Sequence, residues 1–166
     1  MKKYNELTKE EKEKWGYPEM PIDEKLNQQI TNFIQWSEKN CVKFLASEKR
    51  LYSEKYWTAG TCDVIFEIKG KKYVGDIKTS SGIYDRTPFF QVAAYRMMCE
   101  EMGEKDFAGT IIINLKKNGS FDEDNDVYCS EEYESELSGF LACLTLYRKL
   151  QEFGFKRSED KVVIKI

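Results

Sequence analysis

The chain has 166 residues, of which 41% are hydrophobic and 33% charged, enough for one compact domain with a real core but not for two. No apolar run approaches the roughly 20 residues of a membrane span, and the start Met1-Lys2-Lys3-Tyr4 has no apolar signal stretch, so an intracellular protein without a membrane partner is expected. The net charge of −3 argues against a wholly basic nucleic-acid-binding surface but leaves room for local basic patches.

Residues 1–22, with Pro18 and Pro21 near their end, read as an N-terminal arm leading into a single domain over 23–166. From Asp23 to about Lys39, Leu26, Ile30, Phe33 and Ile34 follow helical spacing and predict an amphipathic helix. Val42, Phe44 and Ala46 alternate with polar residues, which predicts a strand running toward Glu48 and Tyr52. A second strand is expected over Tyr56–Ile68 and a third over Tyr73–Thr79, joined at Lys69-Gly70-Lys71, a hairpin signal between two apolar, β-branched runs. After Ser80-Ser81-Gly82, Thr87 as N-cap and Pro88 at the first helical position open a helix that runs to about Met102, where Gly103 ends it. Gly109–Leu115, with three consecutive isoleucines, reads as a buried strand, and a weaker one is expected near Asp126–Cys129. Ser130-Glu131-Glu132 caps a last helix with Leu137, Phe140, Leu141, Leu144 and Tyr147 inward. The order of elements predicts an α/β (α+β) fold, a mixed sheet with helices packed on it.

Residue types narrow the chemistry. There is no histidine, which removes imidazole bases and ligands. The five cysteines, at 41, 62, 99, 129 and 143, show no CxxC spacing, so neither zinc nor an iron–sulfur cluster is expected. A bound metal would rest on carboxylates and carbonyls, the donors of Mg²⁺ or Mn²⁺.

Strand residues two apart share a face, so Asp76 and Lys78 project together from the third strand. Pairing across the Gly70 turn would bring Asp63 up to Asp76, and two carboxylates that close repel unless a cation neutralises them. The Ile77 carbonyl can complete the ligand set, and Lys78 can orient water or stabilise charge developing on a phosphate. The plainer alternative is a surface hairpin whose Asp and Lys form a solvated ion pair.

Gly60-Thr61-Cys62-Asp63, then Asp76-Ile77-Lys78-Thr79, then Gln91-Val92-Ala93-Ala94-Tyr95 stand in that order over about residues 45–100. This pattern resembles the PD-(D/E)XK nucleases, in particular the RecB-like and phage-type exonuclease branch. The resemblance implies a restriction-endonuclease-like mixed central sheet flanked by helices. It implies Asp63 and Asp76 as metal ligands, Lys78 at the attacking water, and Gln91 and Tyr95 supporting the site. Glu48, expected on the strand face of Val42 and Phe44, resembles the upstream acid that members of this family often carry and is a further candidate ligand. Lys69, Lys71, Lys72 and Arg86 are candidates for tracking phosphates, and Tyr84 and Phe89 for stacking on bases. The expected function is a Mg²⁺- or Mn²⁺-dependent deoxyribonuclease acting on DNA in processing, recombination or repair, with a recombination protein as a further candidate partner. The alternative is a catalytically inactive module of the same fold that binds DNA or a protein.

Overall fold

The computed structural model describes Glu10 and residues 24–153. Apart from Glu10, the arm expected over 1–22 lies outside the described residues, as does the end of the chain from 154. Helix α1 spans Glu24–Lys39, followed by β1 (Lys43–Ser53), β2 (Thr58–Ile68) and β3 (Lys71–Lys78). Helix α2 (Thr87–Glu101) leads to β4 (Phe107–Asn114). A single turn of helix, α3 (Glu123–Asp126), precedes β5 (Val127–Ser130) and the long helix α4 (Tyr133–Glu152).

The strands form one sheet in the order β1-β2-β3-β4-β5. All neighbours are antiparallel except β3 and β4, whose parallel pairing requires the crossover that α2 provides. This is the mixed, helix-flanked α+β sheet expected from the order of elements. The turn between β2 and β3 has Lys69 and Gly70 both at positive φ, +50° and +77°, the backbone of a two-residue hairpin.

Two apolar clusters hold the layers together. On one face Ile65, Val74 and Ile112 of the sheet pack against Phe89, Val92, Met97 and Met98 of α2, with Tyr133 and Leu137 of α4 outside them. On the other, Val64, Phe66, Ile111 and Ile113 pack against Trp36 and Phe33 of α1. Gly75 faces this second cluster, where a Cβ would stand 2.7 Å from the Phe66 ring and 2.8 Å from a Val64 methyl.

Two expectations about helix faces need correction. Helix α1 turns Gln29, Phe33 and Trp36 inward, while Leu26, Ile30 and Ile34 are exposed. The Trp36 ring, stacked 6.1 Å from Phe33 and edge-on to Phe66, sets the helix rotation in preference to the aliphatic stripe. Leu137, Phe140, Leu141 and Leu144 of α4 are half-buried as expected, but Tyr147 is exposed. No described helix is long and apolar enough to cross a membrane.

Candidate functional site

The β2–β3 ladder pairs Val64 with Gly75 and Ile65 with Val74. Continuing that register by one residue sets Asp63 opposite Asp76, as the spacing across the turn predicts. From Val74, which packs under α2, the period of two carries Asp76 and Lys78 along the same face. The side chains of Gln91 and Tyr95, one helical turn apart on α2, come down on that face.

These five residues form one connected chain. Asp63 Oδ2 accepts a hydrogen bond from the Ile77 amide at 2.8 Å, which fixes one carboxylate oxygen and leaves the other free. The Lys78 ammonium stands 2.8 Å from Asp76 Oδ2 and donates to Gln91 Oε1 at 2.9 Å. Gln91 Nε2 in turn donates to the Tyr95 hydroxyl at 2.6 Å. Among the described residues, the Lys78 ammonium is the one partner of the buried Asp76 Oδ2. Asp76 itself is only 2% exposed. Its burial holds the carboxyl above its ordinary pKa; Lys78 pulls the other way, and the neighbouring Asp63 adds to the rise. Burial likewise raises Tyr95, with the charges of Asp76 and Asp63 acting in the same direction.

The two outer motifs also meet. At Gly60 a Cβ would stand 2.8 Å from Tyr95 Cε1, so glycine is what lets the Tyr95 ring lie on β2. The Gly60-x-x-Asp63 and Gln91-x-x-x-Tyr95 segments are therefore two halves of one packing contact. Sequence comparison adds no name to this arrangement. No protein-family model matches the chain, and no curated protein matches it significantly.

Glu48 is exposed and sits at φ +49°, between the pairs Ser47–Val64 and Lys49–Cys62. A bulge at Leu45 separates the faces of Phe44, which packs near Phe66, and Ala46, which packs on the α2 side, so the expected shared face with Val42 and Phe44 does not hold. The register sets Glu48 across from Asp63 on the neighbouring strand, although among the described residues no three acidic or thiol side chains stand close enough together to form a ready metal cage. Lys69, Lys71 and Lys72 are at the far end of the β2–β3 hairpin, about 20 Å along β3 from Lys78 at 3.3 Å per residue. Lys72 is engaged there, 3.6 Å from Glu104 and over the Phe107 ring. Arg86 directly precedes α2, where Thr87 is the first helical residue and not the cap. Its guanidinium lies 3.3 Å from Glu132 and 3.5 Å from Glu136, over the Phe89 ring. Phe89 is core, and Tyr84 is 83% exposed.

Asn114 escaped the sequence reading. It ends β4 opposite Lys78 and is fully buried. Its Oδ1 accepts from both the amide and the hydroxyl of Ser80, each at 3.1 Å, anchoring the loop that follows β3. The signal was a polar side chain closing a run of isoleucines, two residues from the buried Ile112. Cys62, also fully buried, has its thiol pushed up to about 12 by burial and is chemically inert beside the site.

The donors suit a hard cation. Among the described residues Asp76 has only Lys78 to balance its carboxylate and Asp63 bonds the Ile77 amide through one oxygen alone, while the Ile77 carbonyl lies in the strand between Asp76 and Lys78. Two carboxylates and a carbonyl leave several positions for water, the coordination that Mg²⁺ and Mn²⁺ accept.

Proposed function

We propose that this chain is a Mg²⁺- or Mn²⁺-dependent deoxyribonuclease that hydrolyses phosphodiester bonds, acting as an exonuclease in DNA processing, recombination or repair. The observation that carries this reading is the pairing of Asp63 with Asp76 beside a lysine tied through Gln91 to Tyr95. Such an arrangement is costly as mere structure, since it buries one carboxylate close to a second against a single lysine. Asp63, Asp76 and the Ile77 carbonyl would hold the cation, which when bound supplies Lewis acidity at the phosphate and an activated water.

The remaining work belongs to the chain. Lys78 has two of its contacts fixed by Asp76 and Gln91, which aims the rest of its ammonium outward, toward a phosphate oxygen or the attacking water. Its side chain is 28% exposed, so a substrate can reach it. Gln91 sets the lysine's position and, by donating to Tyr95, leaves the tyrosine hydroxyl hydrogen free to donate in its turn. The same fold as a catalytically inactive binding module is the second reading, favoured by the lack of a ready three-acid metal cage among the described residues.

The test is digestion of labelled linear, circular and single-stranded DNA with Mn²⁺. Linear DNA should be degraded from its ends, and Lys78→Ala and Asp76→Asn should each lower the rate by roughly 100-fold or more. Undiminished cleavage by Asp76→Asn would remove the site. A wild-type protein that binds Mn²⁺ through Asp63 and Asp76 but cleaves no DNA would establish the inactive module.

A further inference from the structure

We infer that the β1–β2 hairpin tip is a single-strand-binding element in which Trp57 stacks on an unpaired base of DNA engaged at the Asp63–Asp76–Lys78 site; the inference rests on the nuclease reading above. The β2–β3 pairing ends at Val64 and Gly75. Beyond that point β1 and β2 continue alone as a two-stranded ribbon, from Arg50 paired with Thr61 to Ser53 paired with Thr58. The ribbon projects past the site, and Trp57 stands about 20 Å along the strand from Asp63 at 3.3 Å per residue.

Trp57 adds little to the core of the described residues. It is 86% exposed, whereas Trp36 is buried at 4%. Its φ is +46°, a turn position that glycine or asparagine fills without strain. The tip is nevertheless held firmly. The Tyr56 amide donates to Ser53 Oγ at 2.9 Å, and the Arg148 guanidinium of α4 donates to the carbonyls of both Tyr56 and Trp57. An aromatic ring presented to solvent from an anchored backbone is a platform on which a base can stack.

Charge is the further observation that points to a nucleic-acid strand. Arg50, Lys55 and Arg148 are exposed along the ribbon, against the acids Glu54 and Glu101, and would meet phosphates. Tyr84, the other large exposed ring near the site, is a poorer platform, because Asp85, Glu132 and Glu136 surround the one arginine beside it.

The experiment uses the whole protein in Ca²⁺ to hold off cleavage, with a labelled oligothymidylate and a blunt duplex as probes. Wild type should bind the single strand with quenching of tryptophan emission. Trp57→Gly, which also relieves the left-handed backbone and so should fold at least as well, should bind the single strand roughly tenfold or more weakly and the duplex unchanged. Trp57→Phe should recover part of the loss. Equal single-strand binding by wild type and Trp57→Gly, or an equal loss on both probes, overturns the inference while leaving Mn²⁺-dependent cleavage by wild type to stand on its own. No binding of either probe, together with no cleavage in Mn²⁺, would remove the nuclease reading and this inference together.

Discussion

Gly60→Ala is the most exacting perturbation the site offers, because it adds one methyl group and touches no polar atom. The new Cβ would lie 2.8 Å from Tyr95 Cε1, 3.6 Å from Cδ1 and 3.7 Å from the Met98 methyl. Carbon atoms rest at about 3.5–4.0 Å, so the Tyr95 ring must retreat by about 0.7 Å. Its hydroxyl is held at 2.6 Å by Gln91, whose other end fixes Lys78, and the retreat strains that chain. Overpacking of this kind costs about 1–3 kcal/mol, offset by up to about 1 kcal/mol because alanine has less freedom to lose than glycine. The expected net loss is about 1–2 kcal/mol in urea unfolding. Cleavage should slow by roughly 10- to 100-fold, as misplaced positioning groups do. The cause is isolated by Tyr95→Ala: in the background lacking the ring, Gly60→Ala should be neutral or stabilising. Additive effects of the two substitutions, within about 0.5 kcal/mol, would refute the contact as the reason for glycine.

Other expectations follow from the same geometry. The Asp76 carboxyl is held above its ordinary pKa by burial, so the folded state disfavours its ionised form. In metal-free protein, Asp76→Asn should therefore melt higher than wild type at neutral pH. The advantage should vanish as pH falls below the ordinary carboxylate range, where both forms are uncharged; a difference in melting temperature that is constant with pH counts against the assignment. Mn²⁺ should raise the melting temperature of wild type but not of the double variant Asp63→Asn/Asp76→Asn. That rise should grow as pH climbs through the raised Asp76 pKa, because the cation competes with the proton there; calorimetric titration at two pH values checks it. Gly75→Ala should cost about 1–3 kcal/mol by driving a methyl into Phe66 and Val64 on the opposite face of the sheet, a loss readable in urea melts. Its Mn²⁺ affinity should stay close to wild type, which separates a packing defect from a site defect.

The parts of the fold legible in the sequence were those that short-range rules govern. The Lys69-Gly70 turn, the isoleucine run of β4 and the proline-marked start of α2 each follow from local backbone chemistry, and each is found, the helix beginning one residue earlier than expected, at Thr87. The convergence of Asp63 with Asp76 was legible for the same reason, since a two-residue hairpin fixes its register and hence which residues face each other. Longer-range choices were not. Leu26, Ile30 and Ile34 obey helical spacing as well as Trp36 does, yet a ring that can pack on Phe33 and Phe66 decided the rotation of α1.

Glu48 shows where periodicity fails and why. Counting by twos from Phe44 assumes an unbroken ladder, but the register steps at Leu45 and the backbone at Glu48 itself is left-handed. Across from it, β2 also changes phase: Cys62 and Ile65, three residues apart, both pack on the α2 side, while Val64 packs on the other. Asp63 sits within that change of phase, and its carboxylate turns to the Ile77 amide. A regular strand would point Asp63 steadily toward one face; the irregular one lets it reach across the end of β3 to the backbone beside Asp76. The hairpin register sets Asp63 beside Asp76, and the local break in alternation, invisible to a rule built on alternation, is what turns its carboxylate onto the Ile77 amide.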